Sequence, residues 1–178
     1  VRLIDKLVKK AQKGDTDAFT RLFVQNEADI YRIAFVYVRH EQDALDVVQE
    51  TAYRSFKGIA ALKKPAYFKT WIIRIAISSA IDLLRRRNKI TPMEDSKGAH
   101  YHTTAVEENV VTVSLSLQPI LDLLDEEEKG VILLRYYKDY TIREVSEILN
   151  IPLGTAKTLL YRALSKLRTF VREEDYYE

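Results

Sequence analysis

The stretch YTIREVSEILNIPLGTAKTLLYRALSKLR, from Tyr140 to Arg168, decides the fold class. Thr141 is placed to cap a helix, and Glu144, three residues on, closes a capping box with it. Ile142, Val145, Ile148 and Leu149 recur at helical spacing and form a stripe for burial. Asn150, Ile151 and Pro152 break that helix, and proline suits the first turn of the next one. The second helix turns Leu153, Ala156, Leu159, Leu160, Ala163, Leu164 and Leu167 inward. Its other face carries Thr155, Lys157, Thr158, Tyr161, Arg162, Ser165 and Lys166. This is the layout of a helix-turn-helix, whose second helix enters the major groove of DNA and reads base edges near its N-terminus. The competing reading is an ordinary helical hairpin with a solvated face. Capping, turn and charge agree on the DNA-binding one.

Around this motif, a chain of 178 residues has room for one large or two small domains. With 47% hydrophobic and 30% charged residues it is globular in composition, not disordered. The net charge is only +2, so any nucleic-acid binding has to come from local clusters of cations. The chain has 0 cysteines, which excludes a disulfide framework, a cysteine-based zinc site and a cysteine nucleophile, and fits a reducing cytosol. A cytoplasmic location is expected. The longest apolar stretch, Trp71 to Leu84, is interrupted by Arg74, Ser78, Ser79 and Asp82 and is too short to span a bilayer. The opening run VRLIDKLVKKAQKGD has no signal-peptide core. Val1 stands where an initiator Met is expected, as in a trimmed chain or one read from an alternative start codon.

No strand alternation persists anywhere, so the fold class is all-α: two small helical domains joined by a flexible acidic linker. Leu3 to Lys13 reads as a short helix ended by Gly14. Asp15 or Asp17 caps a longer one with Phe19, Leu22, Phe23, Ile30, Ile33, Ala34 and Tyr37 inside. A third helix runs from Asp43 to about Lys57, with Gly58 at its end. Lys63, Lys64 and Pro65 form a basic loop before a fourth helix from Ala66 to about Asn88. The first domain covers residues 1–90. Residues 91–117, with Pro92, Gly98, Glu94, Asp95, Glu107 and Glu108 among many Ser, Thr and Val, read as the linker. The second domain covers 118–178 and opens with Ile120, Leu121 and Leu124 on one helix and Val131 to Leu134 on the next. The acidic run Asp125 to Glu128 suits a helix N-terminus.

Two segments of the first domain carry chemistry. In DALDVVQETAYRSF, Asp43 to Phe56, burial of Ala44, Val47, Val48, Ala52 and Phe56 leaves Asp46, Gln49 and Glu50 together on the other face. This acid–amide–acid patch suits a basic protein partner, but spacing alone favours a merely solvated helix face. In YFKTWIIRIAISSAIDLLRRRNK, Tyr67 to Lys89, aromatics lie beside Lys63, Lys64, Lys69 and Arg74, and the helix ends in Arg85, Arg86, Arg87 and Lys89. Aromatic faces stack on unpaired bases while Lys and Arg follow phosphates. Burial of Phe68 and Trp71, with the arginines complementing a helix C-terminus, is the alternative.

Taken together the segments resemble the extracytoplasmic-function (ECF) sigma factors of bacterial RNA polymerase, within the sigma-70 superfamily. The resemblance rests on Asp43-Ala44, Asp46 and Gln49-Glu50-Thr51; on Trp71, Arg74-Ile75-Ala76, Asp82 and Arg85; and on Gly154-Thr155, Lys157, Arg162-Ala163 and Leu167-Arg168. It covers nearly the whole chain outside the linker, in the family's order. It implies an alternative sigma factor that directs core RNA polymerase to a specific set of promoters. The first domain would be like sigma region 2 and bind the polymerase's clamp helices through Asp46, Gln49 and Glu50. It would open the promoter at the minus-ten element through Lys63, Lys64, Tyr67, Lys69, Trp71, Arg74, Ser78, Asp82, Arg85 and Arg86. The second would be like sigma region 4 and read the minus-thirty-five element through Thr155, Lys157, Thr158, Tyr161, Arg162 and Lys166. The linker would run toward the RNA exit path. The implied partners are core RNA polymerase, promoter DNA and an anti-sigma factor, often membrane-anchored, with no small-molecule substrate.

Two residues depart from the family's pattern. Ser78 stands where Asn is frequent, with similar hydrogen-bonding capacity but shorter reach. Ala52 stands where a bulky aromatic is usual, which implies a repacked core with Tyr53 or Phe56 compensating.

A helix-turn-helix regulator acting on duplex DNA without polymerase explains residues 140–168 equally well, but not the Asp46 patch or the aromatic and basic helix. An enzyme finds little support. With only 5 glycines there is no glycine-rich phosphate loop, and no Ser-His-Asp order has a recognisable context. His100 and His102 have no third ligand spaced near them and read as linker residues. No cofactor, metal or catalytic residue is expected.

Overall fold

The computed structural model describes residues 3–90, 121 and 123–174. Among them the backbone forms helices and turns and no strand, in agreement with the all-α reading. The chain divides into two compact units, Val1–Tyr101 and His102–Glu178, with the division inside the expected linker. The linker itself, His100 and His102 included, lies outside the described residues, as does Ile120.

In the first unit, α1 spans Leu3–Gln12, and Gly14 at φ 93° ends it in a conformation that glycine alone adopts without strain. Asp15, not Asp17, then caps α2 (Thr16–Val38): its carboxylate accepts the Ala18 N–H at 2.9 Å. All seven apolar residues expected on the inner side of α2 are buried. Helix α3 spans Glu41–Gly58 and so begins two residues before the expected Asp43. Asp43 is instead a buried acid of the first turn, held by Arg87 of α4 (Phe68–Ile90). The fourth helix is likewise preceded by a 3₁₀ turn over Pro65–Tyr67, where an α-helix was expected to begin at Ala66. Proline's fixed φ and missing N–H suit such a turn.

The core of this unit is built from Val8, Leu22, Ile30, Phe68, Ile72 and Ala76, each fully buried. Each of these side chains other than that of Ala76 contributes about 1.5–3 kcal/mol on leaving water. Phe56 was expected in this core and is instead 42% exposed, yet its ring meets Phe19 edge-on at 5.1 Å. It thus still meets the core through Phe19, a member of the cluster against which the half-buried Ala52 packs. Tyr53 points to solvent under Lys57 and does not compensate. Gly58 has a close-approach role. A Cβ there would stand 3.2 Å from Cζ2 of Trp71, so the indole lies against the bare end of α3.

In the second unit, Asp125 caps α5 (Glu126–Ile132) through a reciprocal capping box with Glu128. The helix widens into a π-helical turn over Leu133–Tyr137, which places Leu133 and Leu134 inside. Asp139 at φ 55° turns the chain into the next helix. Thr141 and Glu144 form the expected capping box at the start of α6 (Ile142–Leu149). Asn150 at φ 55° ends it, with the Ile151 N–H donating to the Ser146 carbonyl at 3.0 Å. Pro152 sits just before α7 (Leu153–Glu174), not within its first turn. Val145, Ile148, Ala156, Leu159 and Ala163 are buried, while Leu153, Leu160, Leu164 and Leu167 are half-buried. A unit this small has too little volume to cover a helix on every apolar position.

Candidate nucleic-acid interface

The exposed face of α7 is set by its buried one. Because Ala156, Leu159 and Ala163 point inward at helical spacing, Thr155, Lys157, Thr158, Tyr161, Arg162 and Ser165 are left in solvent. Tyr161 is 73% exposed, which is unusual for an aromatic without a partner to cover it. The exposed Thr158 hydroxyl donates to the Gly154 carbonyl at 3.0 Å, which leaves its oxygen able to accept from a partner. Gly154 has open space where a side chain would be, so packing within the protein does not require glycine there.

Lys166 does not join this face. Its Nζ donates to Glu128 Oε2 at 2.6 Å, and Glu128 is fully buried. The acidic run expected merely to favour a helix N-terminus thus sends one member inward, and that member draws Lys166 toward α5. Upstream in the same unit, Tyr136 and Tyr137 are both exposed, beneath the cations of Arg135 and Lys138 at 5.8 Å and 4.9 Å from their ring centroids. Arg135 also donates to the Tyr140 carbonyl at 3.2 Å, which braces the turn into α6. At Thr141, the side-chain hydrogen bond to Glu144, followed by that of the Thr141 N–H, lowers the Glu144 pKa from its ordinary 4.5.

In the first unit, Asp46 and Gln49 are exposed and Glu50 is half-buried, on one face of α3. Lys63 and Lys64 stand exposed on the loop before α4. That loop is fastened from α1: the Gln12 side-chain amide donates to the carbonyls of Ile59 and Leu62 at 3.1 Å and 2.8 Å. Tyr67 is 50% exposed, with Lys64 Nζ 5.6 Å from its ring centroid. Arg74, Ser78 and Arg85 share one exposed face of α4.

Other members of the expected set are engaged inside the unit. Trp71 packs partly buried against Phe68 and Gly58, so burial accounts for most of its surface. Lys69 pairs with Asp29 of α2 at 3.6 Å. Asp82 accepts from Arg54 at 2.8 Å, and Arg54 also holds Glu50. The Glu50–Arg54 spacing of one helical turn was visible in the sequence. The cross-helix partner Asp82 was not, and neither were Gln12 and the burial of Glu128. Arg86 is exposed.

The family model of Sigma-70 region 2 matches residues 22–90, and that of Sigma-70, region 4 matches residues 120–169. The chain is 35% identical over 158 residues to the RNA polymerase sigma factor SigV of Bacillus subtilis (strain 168), covering 84% of this chain and 89% of that one. It is 31% identical over 184 residues to the ECF RNA polymerase sigma factor SigW of the same organism, covering 96% and 98%. Among solved structures, CnrH in complex with the cytosolic domain of CnrY superposes with a TM-score of 0.72 at 20% identity, covering 96% of this chain and 97% of that one. The sigma factor RpoE in complex with the anti-sigma factor NepR from Bartonella quintana superposes at 0.67 and 16% identity, covering 86% and 96%. These two likenesses bear on the fold alone. With the identity to the two Bacillus proteins spread over most of its length, and both region models matched in order, the chain belongs to the ECF RNA polymerase sigma factors, the alternative sigma factors that direct RNA polymerase to promoters.

Proposed function

We propose that the two units divide the work of promoter selection. The α3 face of Asp46, Gln49 and Glu50 docks on the clamp helices of core RNA polymerase. The fastened loop with Lys63 and Lys64, the exposed ring of Tyr67 and the Arg74–Ser78–Arg85 face of α4 handle the strand displaced at the minus-ten element, with Arg86 extending the cationic end. In the second unit Thr155, Lys157, Thr158, Tyr161 and Arg162 read the minus-thirty-five element. The observation that carries the reading is the α7 face. It holds two cations, two hydroxyls and an exposed tyrosine over the first turns of a helix that follows a capped helix and a tight turn. Lys69, Trp71, Asp82 and Lys166 support these surfaces from behind, each through the contact described above.

The place of action is the cytoplasm, where polymerase and promoters are. No described helix is long and apolar enough to cross a membrane. The solved neighbour bound to an anti-sigma factor supports a partner of that kind here.

A pull-down of purified bacterial core RNA polymerase by the full chain, with a housekeeping sigma factor as competitor, tests the docking half. Saturable binding that the competitor displaces is expected. Run-off transcription then tests the division of labour. Lys157→Ala and Arg162→Ala are expected to lose promoter selectivity and keep polymerase binding, whereas Asp46→Arg with Glu50→Arg loses polymerase binding. If folded variants of both classes lose polymerase binding equally, the division is wrong.

A further inference from the structure

Arg54 meets two carboxylates that the proposed function assigns to different tasks. Its Nε donates to Glu50 Oε1 at 2.6 Å, one turn back on α3, and its Nη1 donates to Asp82 Oδ2 on α4 at 2.8 Å. The acceptors use different edges of the planar fork, so neither displaces the other. The side chains of Glu50, Arg54 and Asp82 are 39%, 31% and 40% exposed. The trio therefore sits at the rim of the unit, within reach of a partner, and water screens it enough that it adds little to folding stability. Hydrogen bonds to Asp82 and then to Glu50 raise the guanidinium pKa despite some burial.

A charged side chain at a docking face binds better when it is already held in its bound geometry. Ordering one long side chain on association weakens affinity by about 2- to 12-fold. Glu50 has three rotatable bonds to order, and Arg54 removes that requirement by gripping the carboxylate from within the protein while leaving its second oxygen available. Asp82 grips Arg54 in turn, which keeps the guanidinium from swinging away with Glu50.

We infer that Arg54 is a positioning residue for polymerase docking: it presets the Glu50 carboxylate and is itself anchored by Asp82 on the promoter-opening helix. The inference rests on the reading that Asp46, Gln49 and Glu50 form the docking face. It makes Asp82 an internal anchor in place of a DNA contact.

The test compares the affinity of the full chain for purified bacterial core RNA polymerase in Glu50→Ala, Arg54→Ala, Asp82→Ala and the Glu50→Ala, Arg54→Ala double variant, with urea midpoints measured on each. Asp82→Ala cuts the tie between α3 and α4 but leaves Arg54 on Glu50. Arg54→Ala removes both contacts. Arg54→Ala is expected to weaken polymerase binding by about 2- to 12-fold, and Asp82→Ala by clearly less at a similar urea midpoint. The double variant is expected to bind no worse than Glu50→Ala, because Arg54 acts through Glu50. Equal losses in Arg54→Ala and Asp82→Ala would reduce Arg54 to a staple between helices and overturn the inference. Additive losses with Glu50→Ala, or no loss in Arg54→Ala, would also overturn it. If Glu50→Ala binds like the parent chain, the docking face itself is misassigned, and the inference falls with it by a separate and recognisable route.

Discussion

Replacing Lys166 with alanine separates two roles that the sequence leaves superposed. As a recognition-helix cation, Lys166 would contribute a phosphate contact. As the partner of Glu128, it neutralises a carboxylate with no exposed surface, one of whose oxygens, Oε1, has no hydrogen-bond donor. Removing one member of a fully buried ion pair costs about 3–5 kcal/mol. Lys166 is 39% exposed and Glu128 Oε2 keeps the Asp125 N–H at 3.1 Å, so water and the capping box retain part of that. A discount of about half leaves roughly 1.5–2.5 kcal/mol. A unit of about fifty residues has only about 3–8 kcal/mol of stability in total, so the loss is large. It corresponds to a fall in melting temperature of roughly 6–20 °C for that unit. The assay is urea or thermal unfolding of the full chain followed by far-ultraviolet circular dichroism. Fluorescence of Trp71, the 1 tryptophan in the sequence, reports the first unit as an internal control. Lys166→Met combined with Glu128→Gln is expected to recover most of the loss, because no charge then remains buried. The reasoning is refuted if Lys166→Ala leaves the circular dichroism transition in place while duplex affinity falls and its log–log salt slope drops by about 1, the signature of a lost phosphate contact.

While the Ile59 carbonyl keeps the Leu62 N–H at 3.1 Å, Gln12→Ala is expected to leave the Leu62 carbonyl without its side-chain donor. That costs about 1–3 kcal/mol in urea unfolding and slows promoter opening in a stopped-flow fluorescence assay while polymerase affinity holds. Gly154→Ala meets open space, so it is expected to stabilise α7 by about 0.4–1 kcal/mol. A loss of duplex affinity in that variant would then identify Gly154 as a point where the helix backbone approaches DNA. Glu144 has a folded pKa depressed below 4.5, so its capping box contributes stability above that pH and loses it as pH falls through the depressed value. Glu144→Gln is expected to flatten this acid dependence of unfolding while keeping the neutral-pH cap largely intact.

Local signals made much of the fold readable. The Thr141–Glu144 box, the Asn150 stop, the Gly14 stop and the inner stripe of α2 each involve residues a few positions apart, and each is formed in the structure. What escaped depends on neighbours distant in sequence. Asp43 looked like a helix start because acids favour that position, yet it is buried against Arg87, 44 residues away. Gly58 looked like a stop and is one, but the ring of Trp71 against it could be seen only in three dimensions. The π-helical turn at Leu133–Tyr137 has no periodic signature, because it inserts one residue into an otherwise regular apolar pattern. At the candidate site, residue type and face were legible for α7. Which cations are already committed was not, since Lys69–Asp29 and Lys166–Glu128 span 40 and 38 positions (69 − 29 and 166 − 128).

Those committed cations explain how a chain of net charge +2 can serve a DNA-directed function without a strong affinity of its own. Affinity for duplex DNA rises steeply with each phosphate neutralised, and a protein with many available cations binds everywhere. Here Arg54, Lys69, Arg87 and Lys166 all face carboxylates of the same unit. The exposed cations on the faces proposed to meet DNA are Lys63, Lys64, Arg74, Arg85 and Arg86 in one unit and Lys157 and Arg162 in the other. Neither group reaches the six to ten phosphate contacts typical of a tight free-standing binder. Two weak sites held on one scaffold gain about 10²–10⁴ in apparent affinity without any new contact, provided the scaffold lets both engage at once. Docked polymerase is the scaffold expected here, and a sparse and divided cation supply is then expected to restrict productive DNA binding to the assembled enzyme, as gel shifts with and without polymerase would show.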